Sequence, residues 1–273
     1  MTAAALPRRF AAAFSAAGSG QRPGVVPYLT AGFPTKADTA RLLLACQRGG
    51  CLAVEVGIPF SDPLADGPTI QRTGSIALKQ GMTPTLALSQ VAEARAAGLT
   101  VPVAAMTYVN PVLAMGLERW CAACADAGVD GVIVPDLPAE EAGSLSEALA
   151  GHGLAHIPLV APTTPTERLA RVAATAAGFI YCVSVTGTTG ARERLGDAAL
   201  DLLSRVRSVS GLPRALGFGI SRPEHMTALT GRCEAAVVGS ALLDTIQRRA
   251  DTDPAEVVEA FVRGLASGES SEP

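Results

Sequence analysis

The sequence predicts an α/β fold, a TIM-type (β/α)8 barrel: a single domain over residues 1–266 with an extra N-terminal helix, followed by a disordered tail over 267–273. Three observations predict it. Eight short apolar runs alternate with longer segments rich in Ala, Leu, Arg and Glu, the order of a repeated strand–helix unit. The runs are continuously apolar, the pattern of parallel strands covered on both faces. A chain of 273 residues with 48% hydrophobic content can fill the one large core that such a barrel needs.

Leu6, Phe10 and Phe14 recur at helical spacing and predict an amphipathic helix packed on the domain. Arg8-Arg9 ahead of this Ala/Phe run imitates a twin-arginine export signal. The run is short, however, and no small-residue cleavage site precedes the first strand, so a packed helix is the expectation. Strands are expected over residues 25–29, 52–56, 101–106, 131–134, 155–160, 179–183, 214–217 and 235–238. Helices are expected near 36–48, 84–97, 112–127, 138–151, 165–176, 197–208 and 222–230, with one more beginning near Pro68 and with 241–249 and 255–266 closing the chain. An open doubly wound sheet is the rival. It lacks its signature, because Tyr28-Leu29-Thr30-Ala31-Gly32-Phe33-Pro34 contains no GxGxxG turn for a dinucleotide. From Ser267 onward the chain is polar and rich in Gly and Ser, hence the expected disorder.

Composition narrows the function. A formal charge of -3 with interspersed signs leaves no basic stripe to track a nucleic acid. Lys36 and Lys79 are the only lysines and neither lies in an apolar strand, which argues against Schiff-base chemistry. No apolar run approaches the roughly 20 residues of a membrane span, so a cytoplasmic protein is expected. Its cysteines, at 46, 51, 121, 124, 182 and 233, should then be reduced. Cys121 and Cys124 form a CxxC with no second pair at zinc-ribbon spacing, which reads as the buried face of a helix. His152 and His156 lie among Gly151, Gly153 and Pro158 and read as surface loop residues.

The chemistry concentrates in the run Val54-Glu55-Val56-Gly57-Ile58-Pro59-Phe60-Ser61-Asp62-Pro63-Leu64-Ala65-Asp66-Gly67-Pro68. Glu55 sits in an apolar strand, where an ionised side chain is costly unless it faces a functional cavity. In a barrel the carboxyl ends of the strands hold the active site. Glu55, Asp66, Tyr108, Asn110, Asp136 and Tyr181 all fall at such ends. Two carboxylates in different environments can divide the work, one as acid or base and one as a fixed anion. The structural alternatives are that Glu55 pairs with an arginine and that Asp66 caps the helix near Pro68. Glycines cluster after the last three strands, at Gly187–Gly190, Gly217–Gly219 and Gly239-Ser240. There, backbone N–H groups at a helix N-terminus could bind a phosphate.

These motifs resemble the tryptophan synthase α-subunit family nearly end to end. The match runs through Pro27-Tyr28-Leu29-Thr30-Ala31-Gly32, the Glu55-to-Gln71 segment, Met106-Thr107-Tyr108 with Asn110-Pro111, Pro135-Asp136-Leu137-Pro138, Tyr181 with Ser184 to Gly190, Gly217 to Ser221, and Gly239-Ser240. The resemblance implies retro-aldol cleavage of indole-3-glycerol phosphate to indole and glyceraldehyde 3-phosphate, with no metal or cofactor in this chain. Glu55 would protonate indole C3 and deprotonate the side-chain hydroxyl. Asp66 would hold the indole N–H, stabilise the cationic indolenine and accept its proton. Tyr181 would help position Glu55. Tyr28, Ile70 and Phe218 would enclose the ring, with Tyr108 near it and Thr189 on a closing loop. Gly190, Gly219, Gly239 and Ser240 would hold the phosphate. Asp62, Asn110 and Pro138 would meet a β subunit that carries pyridoxal phosphate, in an α2β2 complex. Val109 and Thr188 depart from the family's usual residues without touching this chemistry.

Two other readings remain open on sequence: a stand-alone lyase that releases free indole, and a barrel that only binds a phosphorylated ligand.

Overall fold

The computed structural model describes residues 7–17, 21–183, 196–217 and 219–268. Its strands are β1 (Gly24–Thr30), β2 (Val54–Gly57), β3 (Val103–Met106), β4 (Gly131–Ile133), β5 (Ala155–His156), β6 (Leu159–Val160), β7 (Ile180–Val183), β8 (Arg214–Gly217) and β9 (Ala235–Val238). The helices are α1 (Arg8–Ala17), α2 (Thr39–Arg48), α3 (Pro68–Lys79), α4 (Pro84–Ala96), α5 (Val109–Met115), α6 (Leu117–Asp126), α7 (Gly143–Gly151), α8 (Thr166–Thr175), α9 (Asp197–Val209), α10 (Pro223–Ala228), α11 (Ser240–Arg248) and α12 (Pro254–Ser267).

All strand pairs are parallel, in the order β5-β4-β3-β2-β1-β9-β8-β7-β6. The fifth expected strand is two short ones because Pro158 has no N–H to give to a ladder. This break does not open the ring. Ile157 N donates to Val132 O at 3.0 Å on one side and Tyr181 N donates to Pro158 O at 3.0 Å on the other, so residues 155–160 join both ends of the sheet.

Alternation along the strands sorts two cores. Val54, Val56, Val103 and Ala105 face outward and pack against the helices. Val26, Ala53, Ala104, Ile133, Ile157, Phe179, Ala215, Ala235 and Val237 fill the lumen. Helix α1 closes the amino-terminal end. Phe10 and Phe14 are buried against Phe179 with ring centroids at 5.7 Å from each, and Arg9 pairs with Asp130 just before β4 at 2.8 Å. Each phenylalanine buried this way contributes roughly 1.5–3 kcal/mol. The helical spacing of Phe10 and Phe14 thus reports packing; Leu6 lies outside the described residues.

Local chemistry sets the other boundaries. Gly116, at φ 87°, ends α5 and starts α6 where one helix over 112–127 was expected, a backbone conformation that glycine tolerates. Thr83 Oγ1 accepts from Leu86 N at 3.2 Å and starts α4 ahead of Pro84. Helix α12 runs through Ser267, one residue past the expected boundary, and stops at Gly268 with φ 81°; residues 269–273 lie outside the described set. All six cysteines are buried free thiols, with Cys121 and Cys124 on the inner face of α6. His156 corrects the expectation of a surface loop: it is buried on β5, and burial lowers its pKa to about 4. Its Nδ1 meets Ser146 Oγ at 2.9 Å. Among the described residues no helix is long and apolar enough to cross a membrane.

Candidate active site at the carboxyl ends of the strands

Glu55 lies on β2, two residues after Ala53, and the register sets it beside Tyr28 on β1 and Ala104 on β3. Since Ala53 and Ala104 face the lumen, the pleat turns Glu55 there too. It is fully buried, and neither carboxylate oxygen has a hydrogen-bond partner among the described residues. The arginine partner of the structural alternative is not found among the described residues. Burial alone pushes its carboxyl up from the ordinary range to about 8, so at neutral pH Glu55 is an acid with a proton to give.

Asp66 lies on the loop between β2 and α3, which Pro59, Pro63 and Pro68 stiffen. Asp66 N closes a turn onto Pro63 O at 3.1 Å. The side-chain amide of Gln71 donates to Asp66 O at 2.9 Å. Gly67 is the N-cap of α3 and Pro68 its first residue, so the Asp66 carboxylate is not spent on capping the helix. Burial raises its pKa to about 6, and a hydrogen bond with Tyr108 works against the rise. Near pH 7 the two carboxyls are therefore in opposite states, one protonated and one ionised.

Asp66 borders a small cleft lined also by Tyr28, Thr30, Ile58, Phe60, Ile70, Met106 and Tyr108. Its walls are mostly apolar and its one carboxylate is Asp66, a combination suited to a flat ring bearing a single N–H donor. Glu55 does not line this cleft, but its ladder neighbour Tyr28 does. Two tyrosines feel both carboxyls: burial first, and then the charges of Asp66 and Glu55, push the Tyr28 phenol well above its ordinary pKa. For Tyr181 on β7 the same follows from burial, then Glu55, then Tyr28 and Asp66.

After β9, which neighbours β1 in the ring, Gly239 is the N-cap of α11 and Ser240 its first residue. No side chain caps this end, so its first N–H groups face outward unpaired by the helix. Gly219, after β8, is exposed at φ 78° with open space above it. Thr189, Gly190 and Phe218 lie outside the described residues. Asp62, Asn110 and Pro138 are exposed after β2, β3 and β4 respectively. Asp136 serves the fold: its Oδ1 accepts from Val109 N at 2.9 Å and fixes the start of α5. Sequence reasoning missed the Thr30–Thr73 hydroxyl pair at 2.8 Å that ties α3 to β1, for which no motif gives a signal. It also missed Leu64 and Leu113, exposed by 92% and 64% on the same rim as Asp62 and Asn110. Among the described residues no cluster of three or more His, Cys, Asp or Glu could hold a metal ion.

Known proteins share this architecture. The model of a family described as "Tryptophan synthase alpha chain" matches residues 14–268. The tryptophan synthase alpha chain of Chloroflexus aurantiacus is 45% identical over 95% of this chain and 97% of its own. That of Carboxydothermus hydrogenoformans is 42% identical over 89% and 92%. A solved structure of the tryptophan synthase α2β2 complex from Pyrococcus furiosus superposes with a TM-score of 0.84 at 40% identity, covering 90% of this chain and 99% of that one.

Proposed function

The chain belongs to the tryptophan synthase alpha chain family, and from that premise we propose that Glu55 and Asp66 carry its cleavage of indole-3-glycerol phosphate into indole and glyceraldehyde 3-phosphate. It is a carbon–carbon lyase of tryptophan biosynthesis that works with a β subunit. The observation that supports the catalytic assignment best is the fully buried, unpartnered carboxyl of Glu55 beside Tyr28, which lines the same cleft as Asp66.

The protonated Glu55 gives its proton to indole C3, and the ring becomes a cationic indolenine. Asp66, ionised, holds the ring N–H as positive charge builds there, an anion in place before the charge appears. Glu55, now a carboxylate, takes the proton of the hydroxyl on the carbon attached to C3. The electrons of that O–H bond form the aldehyde, the carbon–carbon bond breaks, and its pair restores the aromatic ring. The nitrogen is left neutral with its proton, so Asp66 holds the N–H without taking that proton as first expected, and Glu55 is protonated again. Because Glu55 is fully buried, substrate entry has to uncover it.

Tyr28, Ile70 and Tyr108 flank the indole, with Phe218 and Thr189 completing the enclosure, and Tyr181 positions Glu55. The phosphate is held by the N–H groups at Gly239 and Ser240 with Gly219 and Gly190. Asp62, Asn110 and Pro138 meet the β subunit, which carries the pyridoxal phosphate; this chain needs no cofactor of its own. The exposed Leu64 and Leu113 on that rim favour a partnered chain over a stand-alone lyase. A single barrel domain over 1–266 and a cytoplasmic location belong to the same reading, and six buried free thiols suit a reducing compartment.

The test is indole release from indole-3-glycerol phosphate by Glu55→Gln and Asp66→Asn. Both should lose more than about 100-fold in kcat, as loss of a general acid or base does, with glycerol 3-phosphate binding retained.

A further inference from the structure

Resting on the assignments of Asp66 to the ring and of Gly239-Ser240 to the phosphate, we infer that Asp244 is a positioning residue. From α11 it clasps the first turn of α3 and so fixes the span between the two ends of the substrate site. The topology brings these helices together. Strands β2 and β9 flank β1 on its two sides, and the helices that follow them are α3 and α11. Thr69 Oγ1 donates to both Asp244 carboxylate oxygens, at 3.1 and 3.3 Å. Arg72 Nη2 pairs with Asp244 Oδ1 at 2.6 Å, and Arg72 Nε donates to Gln247 Oε1 at 2.9 Å, three residues further along α11. Thr69 and Arg72 are three apart on α3 and therefore share a face.

The first turn of α3 needs such a hold. No side chain caps its start at Gly67, and the buried residues of the helix, Thr73 and Ala77, lie beyond that turn. A carboxylate brought to this end by α11 also suits the positive end of the helix dipole. The placement of this turn bears on the chemistry, because the Gln71 side-chain amide donates to Asp66 O at 2.9 Å. On the other helix, Asp244 stands four residues after Ser240, about 6 Å along the axis. Hydrogen bonds thus lead from Asp66 through Gln71 and α3 to Asp244, on the helix whose first N–H groups face the phosphate. Arg72 balances the negative charge that Asp244 places one turn from that anion. Arg72 and Asp244 are 42% and 36% exposed, so the clasp acts at the level of a few-fold in affinity.

Asp244→Ala severs both bonds to α3 at a partly exposed position, so the chain should still fold. Titration calorimetry compares two ligands: indole-3-propanol phosphate, which spans the site and cannot be cleaved, and glycerol 3-phosphate, which engages the phosphate end alone. The ratio of the two affinities is the readout, because a change of charge near the phosphate acts on both ligands alike. In Asp244→Ala the preference for the spanning ligand should fall about fourfold, and Arg72→Gln should lower it in the same direction. Thr69→Val added to Asp244→Ala should cost nothing further, since the partner of that hydroxyl is already gone. A merely structural role would lower the urea midpoint and leave the ratio unmoved. An unchanged ratio in Asp244→Ala, or a Thr69→Val cost undiminished in that background, would overturn the inference. If the unsubstituted chain held the spanning ligand no more tightly than glycerol 3-phosphate, the assignment of the two ends of the site would fall instead.

Discussion

The phenol oxygen of Tyr28 occupies the space that a side chain on Gly57 would need. Tyr28 pairs with Glu55 in the ladder and Thr30 with Gly57, so the ring leans one layer toward the mouth across the neighbouring strand. Tyr181 and Gly217 repeat the arrangement on β7 and β8. Both tyrosines feel the charges of Glu55 and Asp66, and each has room for its ring because the facing residue lacks a Cβ.

Gly57→Ala should therefore cost about 1–3 kcal/mol of stability through overpacking and displace Tyr28 from its place beside Glu55. Chemical denaturation and steady-state turnover check this: the fall in kcat should exceed that of an alanine placed at Gly143, where nothing lies within 4 Å of the new Cβ.

The pH dependence of kcat/KM should be bell-shaped. Activity rises as Asp66 loses its proton near 6 and falls as Glu55 loses its own near 8. A profile that stays flat from pH 5 to 9 would remove one or both groups from the chemistry.

Glu55 should also weaken the fold as pH rises. Its pKa is about 8 when folded against 4.5 as an ordinary glutamate, so between those values the unfolded chain releases a proton that the folded chain retains. The favourable contribution is complete below pH 4.5 and is lost as pH rises through 8. Glu55→Gln should remove a decline of a few kcal/mol in unfolding free energy between pH 5 and 8, readable by urea titration at each pH. An identical slope in the variant would place the decline elsewhere.

Leu64→Asp and Leu113→Asp should each weaken association with the β subunit by roughly tenfold or more, because an apolar side chain no longer fills the interface and a charge is desolvated there instead. Titration calorimetry reads the affinity. Thermal unfolding of the isolated chain should change little, because both side chains are exposed.

The strands and the buried carboxyl of Glu55 were legible for one reason. Parallel strands read as apolar runs, and Glu55 is the charge that interrupts one. Three features were less legible because they depend on neighbours distant in sequence. Pro158 is visible in the chain, but that the ring closes across it depends on partners at Val132 and Tyr181. His156 has glycines and a proline around it and yet lies on a strand, since Asp130 and Val132 carbonyls pair with its neighbours. Leu64 and Leu113 have core-like side chains, and only the fold shows that they point to solvent. Asp136 carried the right residue type at the right strand end, and its hydrogen bond to Val109 gives it a capping task in place of a catalytic one.

Single-turnover release of indole from indole-3-glycerol phosphate by Glu55→Gln, compared with the unsubstituted chain at pH 7 and with glycerol 3-phosphate affinity measured in parallel, bears most closely on the proton transfer. Cleavage should drop by more than about 100-fold while the phosphate ligand binds as before. Near-normal indole release from that variant would show that the carbon–carbon bond is broken without the buried carboxyl.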